Sequence, residues 1–372
     1  VLTFYSKKLI IYSTIFEEKI MALSGRKKIA IGVTAALLVV IIVLVLALFI
    51  PRTGEKRVNV WGVDSEFSIE NVQSLEAGDE QFKILMFTDL QLWSNLSDNN
   101  ETYDLMDELV ERIQPDMIVL PGDNVSGLTT DILLKGLIKH MESYKIPWAC
   151  TYGNHDAEGN ATLSWQSDRY EEAEYCLFER GPSNLYGMGN YAVNITRNGN
   201  LDKTLFFLDN GRYYEYANGN DEIYIGYEQI AWYEWMVQGI AEANGGMVVP
   251  SMVFSHFAQP EMYEAIEAVC VQDEQGRYVV PEEYGFGYCS YLPGVSPVNS
   301  GFVDVAKANG TTHFFCGHDH ENNASVTYEG ITYTYGLKTG PSPRYWNDAE
   351  YYGGTVITLD PGGAVYINNV VI

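Results

Sequence analysis

Two histidines one residue apart close the tetrapeptide Gly317-His318-Asp319-His320. Neutral imidazole is the commonest protein ligand for Zn, Fe, Mn or Ni, so a pair this close has the chemistry of a metal site. The preceding run His313-Phe314-Phe315-Cys316 reads as a short buried strand. Gly317 then turns the backbone, and both rings leave the strand end on a loop, where they can converge on one ion or serve two. A lone His-x-His serves equally well as a polar surface turn. The choice between the two rests on the other polar residues at strand ends.

Those residues recur with a regular rhythm. The apolar run 82–87 ends at Thr88-Asp89, the run 116–120 at Pro121-Gly122-Asp123-Asn124, and the run 147–152 at Gly153-Asn154-His155-Asp156. Between them, 103–112 carries Leu105, Met106, Leu109 and Val110 on one helical stripe, and 130–144 reads as a second helix. Strands alternating with helices predict βαβ units and a largely parallel sheet, whose ligands gather at the carboxyl ends of the strands. Farther on, 204–208 and 247–254 read as strands, the second delivering Ser255-His256. The segment 229–243, rich in Trp and Tyr, reads as a helix whose aromatics pack the core. Short β-runs at 324–328, 331–335, 354–358 and 364–368 predict antiparallel strands forming a second sheet.

Five strand ends thus deliver Asp89, Asp123, Asn154 with His155, His256, and the pair His318 and His320. Each has a mundane reading: an Asp after a strand is often a helix N-cap, and a single His more often satisfies a core or surface need than a metal. Together, mixed oxygen and nitrogen ligands suit two divalent or trivalent cations that share one carboxylate.

At 372 residues the chain can bury a sizeable core, and 47% hydrophobic content excludes global disorder. Asp plus Glu outnumber Lys plus Arg by 49 to 23, a net charge of −26. A nucleic-acid binder that neutralises phosphates with its own cations is not expected from this composition. An anionic substrate would need bound cations to supply positive field. The five cysteines are too few for a disulfide scaffold. Cys150 and Cys316 read as free core thiols, while Cys270 and Cys289 are a candidate disulfide if the domain is extracytoplasmic.

Residues 29–50 form a run of 22 without a charge, enough for a helix to cross a ~30 Å hydrocarbon layer. Basic residues flank it on both sides, Arg26, Lys27 and Lys28 before and Arg52, Lys56 and Arg57 after, so charge alone leaves its orientation open. Asn95, Asn100, Asn124, Asn160, Asn194, Asn309 and Asn323 each begin an N-x-S/T triplet, which favours a lumenal or external domain. The expected plan is a cytosolic segment 1–28, in which Met21 reads as a natural start and 1–20 as an over-extended gene model. A signal-anchor at 29–50, a linker at 51–80 and one catalytic domain at 81–372 follow.

The ordered set Asp89, Gly122-Asp123-Asn124, Gly153-Asn154-His155-Asp156, His256 and Gly317-His318-Asp319-His320 resembles the calcineurin-like metallophosphoesterase superfamily. Within it, Gly153-Asn-His-Asp-Ala-Glu-Gly159, Cys176-Leu-Phe178, Gly189-Asn-Tyr191 and Tyr335-Gly-Leu-Lys-Thr-Gly340 are similar to the purple-acid-phosphatase-like branch. The resemblance covers about residues 80–370. It implies an α/β fold, a sandwich of two mixed β-sheets flanked by helices, here preceded by one transmembrane helix. It implies two divalent or mixed-valence ions (Fe, Zn or Mn) and a phosphate-ester substrate. Asp123 would bridge the ions, Asp89 and His320 hold the first, and Asn154, His256 and His318 the second. His155 would serve the leaving group, oriented by Asp156.

Two positions depart from that pattern. Gln91 stands where the family carries a His for the first ion, and an uncharged amide is a weaker ligand. Ser126 stands where purple acid phosphatases carry a metal-binding Tyr, so no tyrosinate-to-iron colour is expected. Lys338 and Arg344, in a Gly- and Pro-rich segment, are candidates for substrate phosphate, or simply solvated loop charges. The reading is a membrane-anchored phosphoesterase of type II topology. Its rival, supported by Gln91, is a binding or scaffolding protein that retains the fold but has lost efficient turnover.

Overall fold

The structure, a computed structural model, describes residues 25–48, 50–56, 58–211, 224–344 and 351–372. The chain divides into two units, Val1–Ile50 and Pro51–Ile372. In the first, Gly25–Leu48 forms one helix whose described side chains are almost all exposed. Among the described residues no helix is long and apolar enough to cross a membrane. The segment 1–24, with Met21 as a natural start, lies outside the described residues.

Side-chain alternation organises the second unit. β6 (Asn200–Phe207), β7 (Ser251–Phe254) and β12 (Thr311–Cys316) each end in an unbroken apolar run, Leu205–Phe207, Met252–Phe254 and Phe314–Cys316, the pattern of strands covered on both faces. Leu205, Phe207, Met252, Phe254 and Phe315 point to one core, and Phe206, Val253, Phe314 and Cys316 to another. The first core is shared with Ile84, Met86, Ile118 and Leu120 of the opposing sheet. The second is covered by the helices Tyr227–Ala243, Pro260–Val269 and Phe302–Ala308. Phe207, Phe254 and Phe315 stack across neighbouring strands at centroid spacings of 5.2 and 4.8 Å. Burying each such ring stabilises the fold by about 1.5–3 kcal/mol, and stacking adds to it.

In the smaller main sheet, β2 (Phe82–Met86), β3 (Met117–Pro121) and β4 (Trp148–Thr151) run parallel. The helices Leu96–Ile113 and Thr130–Tyr144 connect them. β15 (Gly353–Leu359) pairs antiparallel with β2, and β16 (Val365–Val371) with β15. The larger sheet runs β1 (Gln73–Glu76), β5 (Tyr191–Arg197), β6, β7, β12, β14 (Ile331–Tyr335), β13 (Ser325–Tyr328), β10 (Gly285–Phe286). A small third sheet joins β8 (Val271–Gln272), β9 (Tyr278–Val279) and β11 (Tyr288–Cys289). Both main sheets are mixed, as expected.

The tail strands do not form a sheet of their own. β14 lies parallel to β12, and β15 covers the open edge of β2, so the tail closes one edge in each main sheet. Residues 51–80 are not a free linker either. β1 joins the large sheet, and Trp61 and Phe67 pack edge-on against Trp235 at 5.9 and 5.4 Å. Their aromatic content gives them something to bury. Cys270 and Cys289 are free thiols rather than a disulfide, as are Cys150, Cys176 and Cys316.

Candidate metal centre

The chain turns sharply at three of the strand ends that carry candidate ligands. Asp89, Gln91, Asp123 and His318 all have left-handed backbones, with φ of 54, 40, 52 and 74°. L-residues adopt that region at a cost, and such residues cluster at functional sites when surrounding structure holds them there. The other described non-glycine cases, Gln114, Lys145, Asn198 and Glu329, are away from these loops, the first two at helix C-caps. Close approach explains the motif glycines. A side chain at Gly153 would collide with the Asp123 carboxylate, and one at Gly317 with Thr88 and Asp89. The loops can therefore nest against one another only with hydrogen at those positions.

The nesting brings the predicted ligands together. Asp123, His256 and His318 each offer a ligand atom within 4.8 Å of the others. His256 Nδ1 lies 3.1 Å from the Pro121 carbonyl, so this nitrogen carries the proton that donates there. Its Nε2 faces Asn154 Oδ1 at 3.1 Å and Asp123 Oδ2 at 3.3 Å. On the other side, His320 Nε2 is 3.6 Å from Asp89 Oδ1. Both Asp89 oxygens accept from the His318 backbone N–H at 3.0 Å, and Thr88 Oγ1 donates to Oδ2. Gln91 Nε2 donates to Asp123 Oδ2 at 3.0 Å, while its Oε1 is buried without a partner.

Electrostatics follow from burying two carboxylates among imidazoles. Burial works to raise Asp123, but the charge and hydrogen bond of His256, then the charge of His155, hold it well below the usual carboxylate range. Burial likewise opposes the ionised form of Asp89, and the hydrogen bond and charge of His320 overcome it. Burial would lower His256, yet the charge and hydrogen bond of Asp123 push it up to about 9. His318 is lowered, first by burial and then by the His256 charge. One ionised acid and an amide oxygen face the His256 Nε2, and a second ionised acid, Asp89, faces His320. Such a donor set asks for positive charge, as protons or as cations, and it fits oxygen- and nitrogen-loving divalent ions.

Some predicted roles do not match the geometry. Asp156 is wholly buried and does not hold His155. Its Oδ1 accepts from the backbone N–H groups of Asn124 and Val125, and its Oδ2 from Gly153. His155 Nδ1 instead meets Glu158 Oε1 at 2.8 Å, while its backbone N–H donates to Asp123 Oδ1. Lys338 is buried, its ammonium donating to the carbonyls of Asp89 and Ser342 rather than facing a substrate. Arg344 is exposed and paired with Glu101 and Asp98. Ser126 is buried behind Gln91, its hydroxyl 3.5 Å from the Gln91 carbonyl. Sequence reasoning missed Glu158, Thr88 and the brace at Asp319, whose Oδ2 accepts from Tyr335 at 2.6 Å and from the Gly294 N–H at 3.0 Å. The Asp-x-Glu spacing after His155 was the one readable trace of Glu158.

A mixed α/β fold with acids, amide and imidazoles at its strand ends is the architecture of a metal-dependent phosphoesterase. The family model for calcineurin-like phosphoesterases matches residues 82–322. The chain belongs to that family. It is 28% identical over 279 residues to the protein named Phosphatase DCR2 of Saccharomyces cerevisiae, covering 68% of this chain and 46% of that protein. Thus the chain spans about half the length of this relative. It is 25% identical over 318 residues to the Arabidopsis thaliana protein named Probable inactive purple acid phosphatase 29, covering 77% of this chain and 75% of the relative. A solved dimetal phosphatase from Danio rerio is also similar, with a TM-score of 0.49 and 14% identity over 78% of this chain and 96% of that one.

Proposed function

We propose that this protein is a phosphoesterase that hydrolyses phosphate esters with the help of two bound metal ions. The observation that carries the reading is the convergence of Asp123, His256 and His318, with Asn154, Asp89 and His320 beside them. Asp123 would be the shared ligand, Asp89 and His320 would hold the first ion, and Asn154, His256 and His318 the second. Bound cations supply Lewis acidity at the phosphoryl group and water of lowered pKa. The chain's own residues do the rest. Pro121 fixes the His256 tautomer, Thr88 and the His318 N–H orient Asp89, and Asp156 ties the Asp123 loop to the Asn154 loop. His155, held by Glu158 at the mouth of the site, is the group placed to give a proton to the leaving oxygen.

The test is hydrolysis of para-nitrophenyl phosphate and its bis-ester by chelated protein given Mn, Zn, Fe or Co. Restored turnover that disappears in Asp123→Ala and His155→Ala supports the reading. Inactivity with every metal favours the rival, a fold-retaining binding or scaffolding protein. Gln91 and the name of the Arabidopsis relative speak for that rival, and the name of the yeast relative against it.

The membrane topology is part of the same proposal. The uncharged run 29–50 and the exposed apolar helix Gly25–Leu48 support a signal-anchor, with the domain lumenal or extracellular. Release of the protein from membranes by alkaline carbonate would refute the anchor.

A further inference from the structure

We infer that the two halves of this centre are unequal. Asp123, Asn154, His256 and His318 hold one cation tightly, whereas the side of Asp89, Gln91 and His320 admits a second only weakly. The inference rests on the metal-dependent reading above and deepens it.

The cause lies in Gln91. Its N–H donates to Asp123 Oδ2, an oxygen of the shared carboxylate, and so supplies the positive hydrogen that a first-site ion would otherwise supply as charge. The reverse orientation of the amide would set Oε1 against that carboxylate oxygen, two acceptors face to face, unless a cation lay between them. Its backbone has no freedom to retreat. The Gln91 N–H donates to the Asp123 carbonyl at 2.7 Å, Ser342 Oγ donates to the Gln91 carbonyl at 2.8 Å, and the residue is buried. An ion on this side therefore displaces a charge-assisted hydrogen bond, a loss of roughly ten- to a hundred-fold in affinity.

Asp89 compounds the effect. It already accepts from two donors, the His318 N–H shared between its two oxygens and the Thr88 hydroxyl, and a cation must share the carboxylate with them. Across the centre the groups that crowd together are themselves candidate ligand atoms. His256 Nε2 has two oxygens within 3.3 Å, and its other nitrogen is fixed by Pro121. The orphaned Gln91 Oε1 is the trace of this arrangement, since it finds a partner only if the amide turns towards a cation.

The experiment is Mn2+ binding by the full chain after chelation, counted by elemental analysis and followed by electron paramagnetic resonance. Wild type should retain about one ion through gel filtration. A second should enter only at roughly tenfold or higher Mn2+, with spin coupling appearing as it does. Gln91→His should retain two coupled ions, Gln91→Leu should lose the weak ion alone, and His256→Ala should lose the tight one. If Gln91→His unfolds, judged by circular dichroism, Gln91→Glu offers a charged ligand at the same reach and should also raise the count. Two equally tight ions in wild type, or no gain in any folded Gln91 variant, would overturn the inference. Unequal binding without hydrolysis would sink only the phosphoesterase reading, and equal binding with hydrolysis only this one.

Discussion

Glu158 Oε1 sits 2.8 Å from His155 Nδ1, three residues along the same loop, while the Asp156 carboxylate between them turns inwards to three backbone N–H groups. Adjacent acids on one loop thus divide the labour. Glu158 is half-buried and fixes a ring that borders the metal centre, and Asp156 is wholly buried and fixes the loops themselves. Burial disfavours the charged imidazole of His155, but the Glu158 hydrogen bond and the Asp123 and Glu158 charges outweigh it and raise its pKa.

The two acids should fail differently. Glu158→Gln should lower kcat by roughly ten-fold or more, with little change in KM or melting temperature. Asp156→Asn should cost about 3 kcal/mol of stability, because an amide cannot accept from three buried N–H groups as a carboxylate does. Thermal melts beside steady-state kinetics separate the outcomes. Full activity in Glu158→Gln would remove it from the mechanism.

How much of this was legible beforehand depended on whether local pattern or long-range pairing decided each feature. The strands ending at Asp89, Asp123 and Asn154 are continuous apolar runs, and the helix Thr130–Tyr144 has the bounds its periodicity predicts. The ligands were readable because they follow those runs directly. The pairing of β15 with β2 was not, since a hydrogen-bond partner hundreds of residues away leaves no local trace. The helix Pro260–Val269, with Pro at its start, was there to be read from its sequence and was missed. Lys338 looked like a phosphate ligand because nothing in its neighbours says that a lysine there is capped by two carbonyls.

Lys338 illustrates the consequence. Its ammonium donates to the carbonyls of Asp89 and Ser342, in a site where burial lowers its pKa to about 8. Lys338→Met would leave two buried acceptors without donors, at a cost of about 2–4 kcal/mol. The expected result is a lower melting temperature and reduced metal retention together. A raised KM with unchanged stability would instead return Lys338 to the role of substrate ligand.

The seven sequons should not be equivalent either. Asn124, Asn160 and Asn194 are buried, the first two using their amide N–H groups on Thr151 and Asp131. No glycan fits at such a nitrogen in the folded chain. Asn100 is exposed on the helix Leu96–Ile113 and is the site expected to carry one in a secretory host. Peptide mass spectrometry after enzymatic deglycosylation reads this directly. Glycan at Asn194 in folded protein would contradict the placement of β5, and no glycan anywhere would weaken the lumenal assignment.

Acid stability offers a check far from the metal centre. His313 is half-buried on β12, stacked on Phe315 with its Nδ1 2.7 Å from Thr312 Oγ1. Burial, helped by the charge of Lys203, lowers its pKa to about 4 from an unfolded value of 6.5. Protons therefore bind the unfolded chain more readily between those values, and the neutral ring's contribution is complete above pH 6.5 and lost as pH falls towards 4. The loss is of the order of 1–3 kcal/mol, reduced from its upper end by partial exposure. His313→Phe keeps the stacking and cannot titrate. Its stability should fall less than that of wild type over this window in denaturant melts at each pH. Parallel acid limbs for the two proteins would show that His313 titrates normally and that the strand around it is more open to water than its contacts indicate.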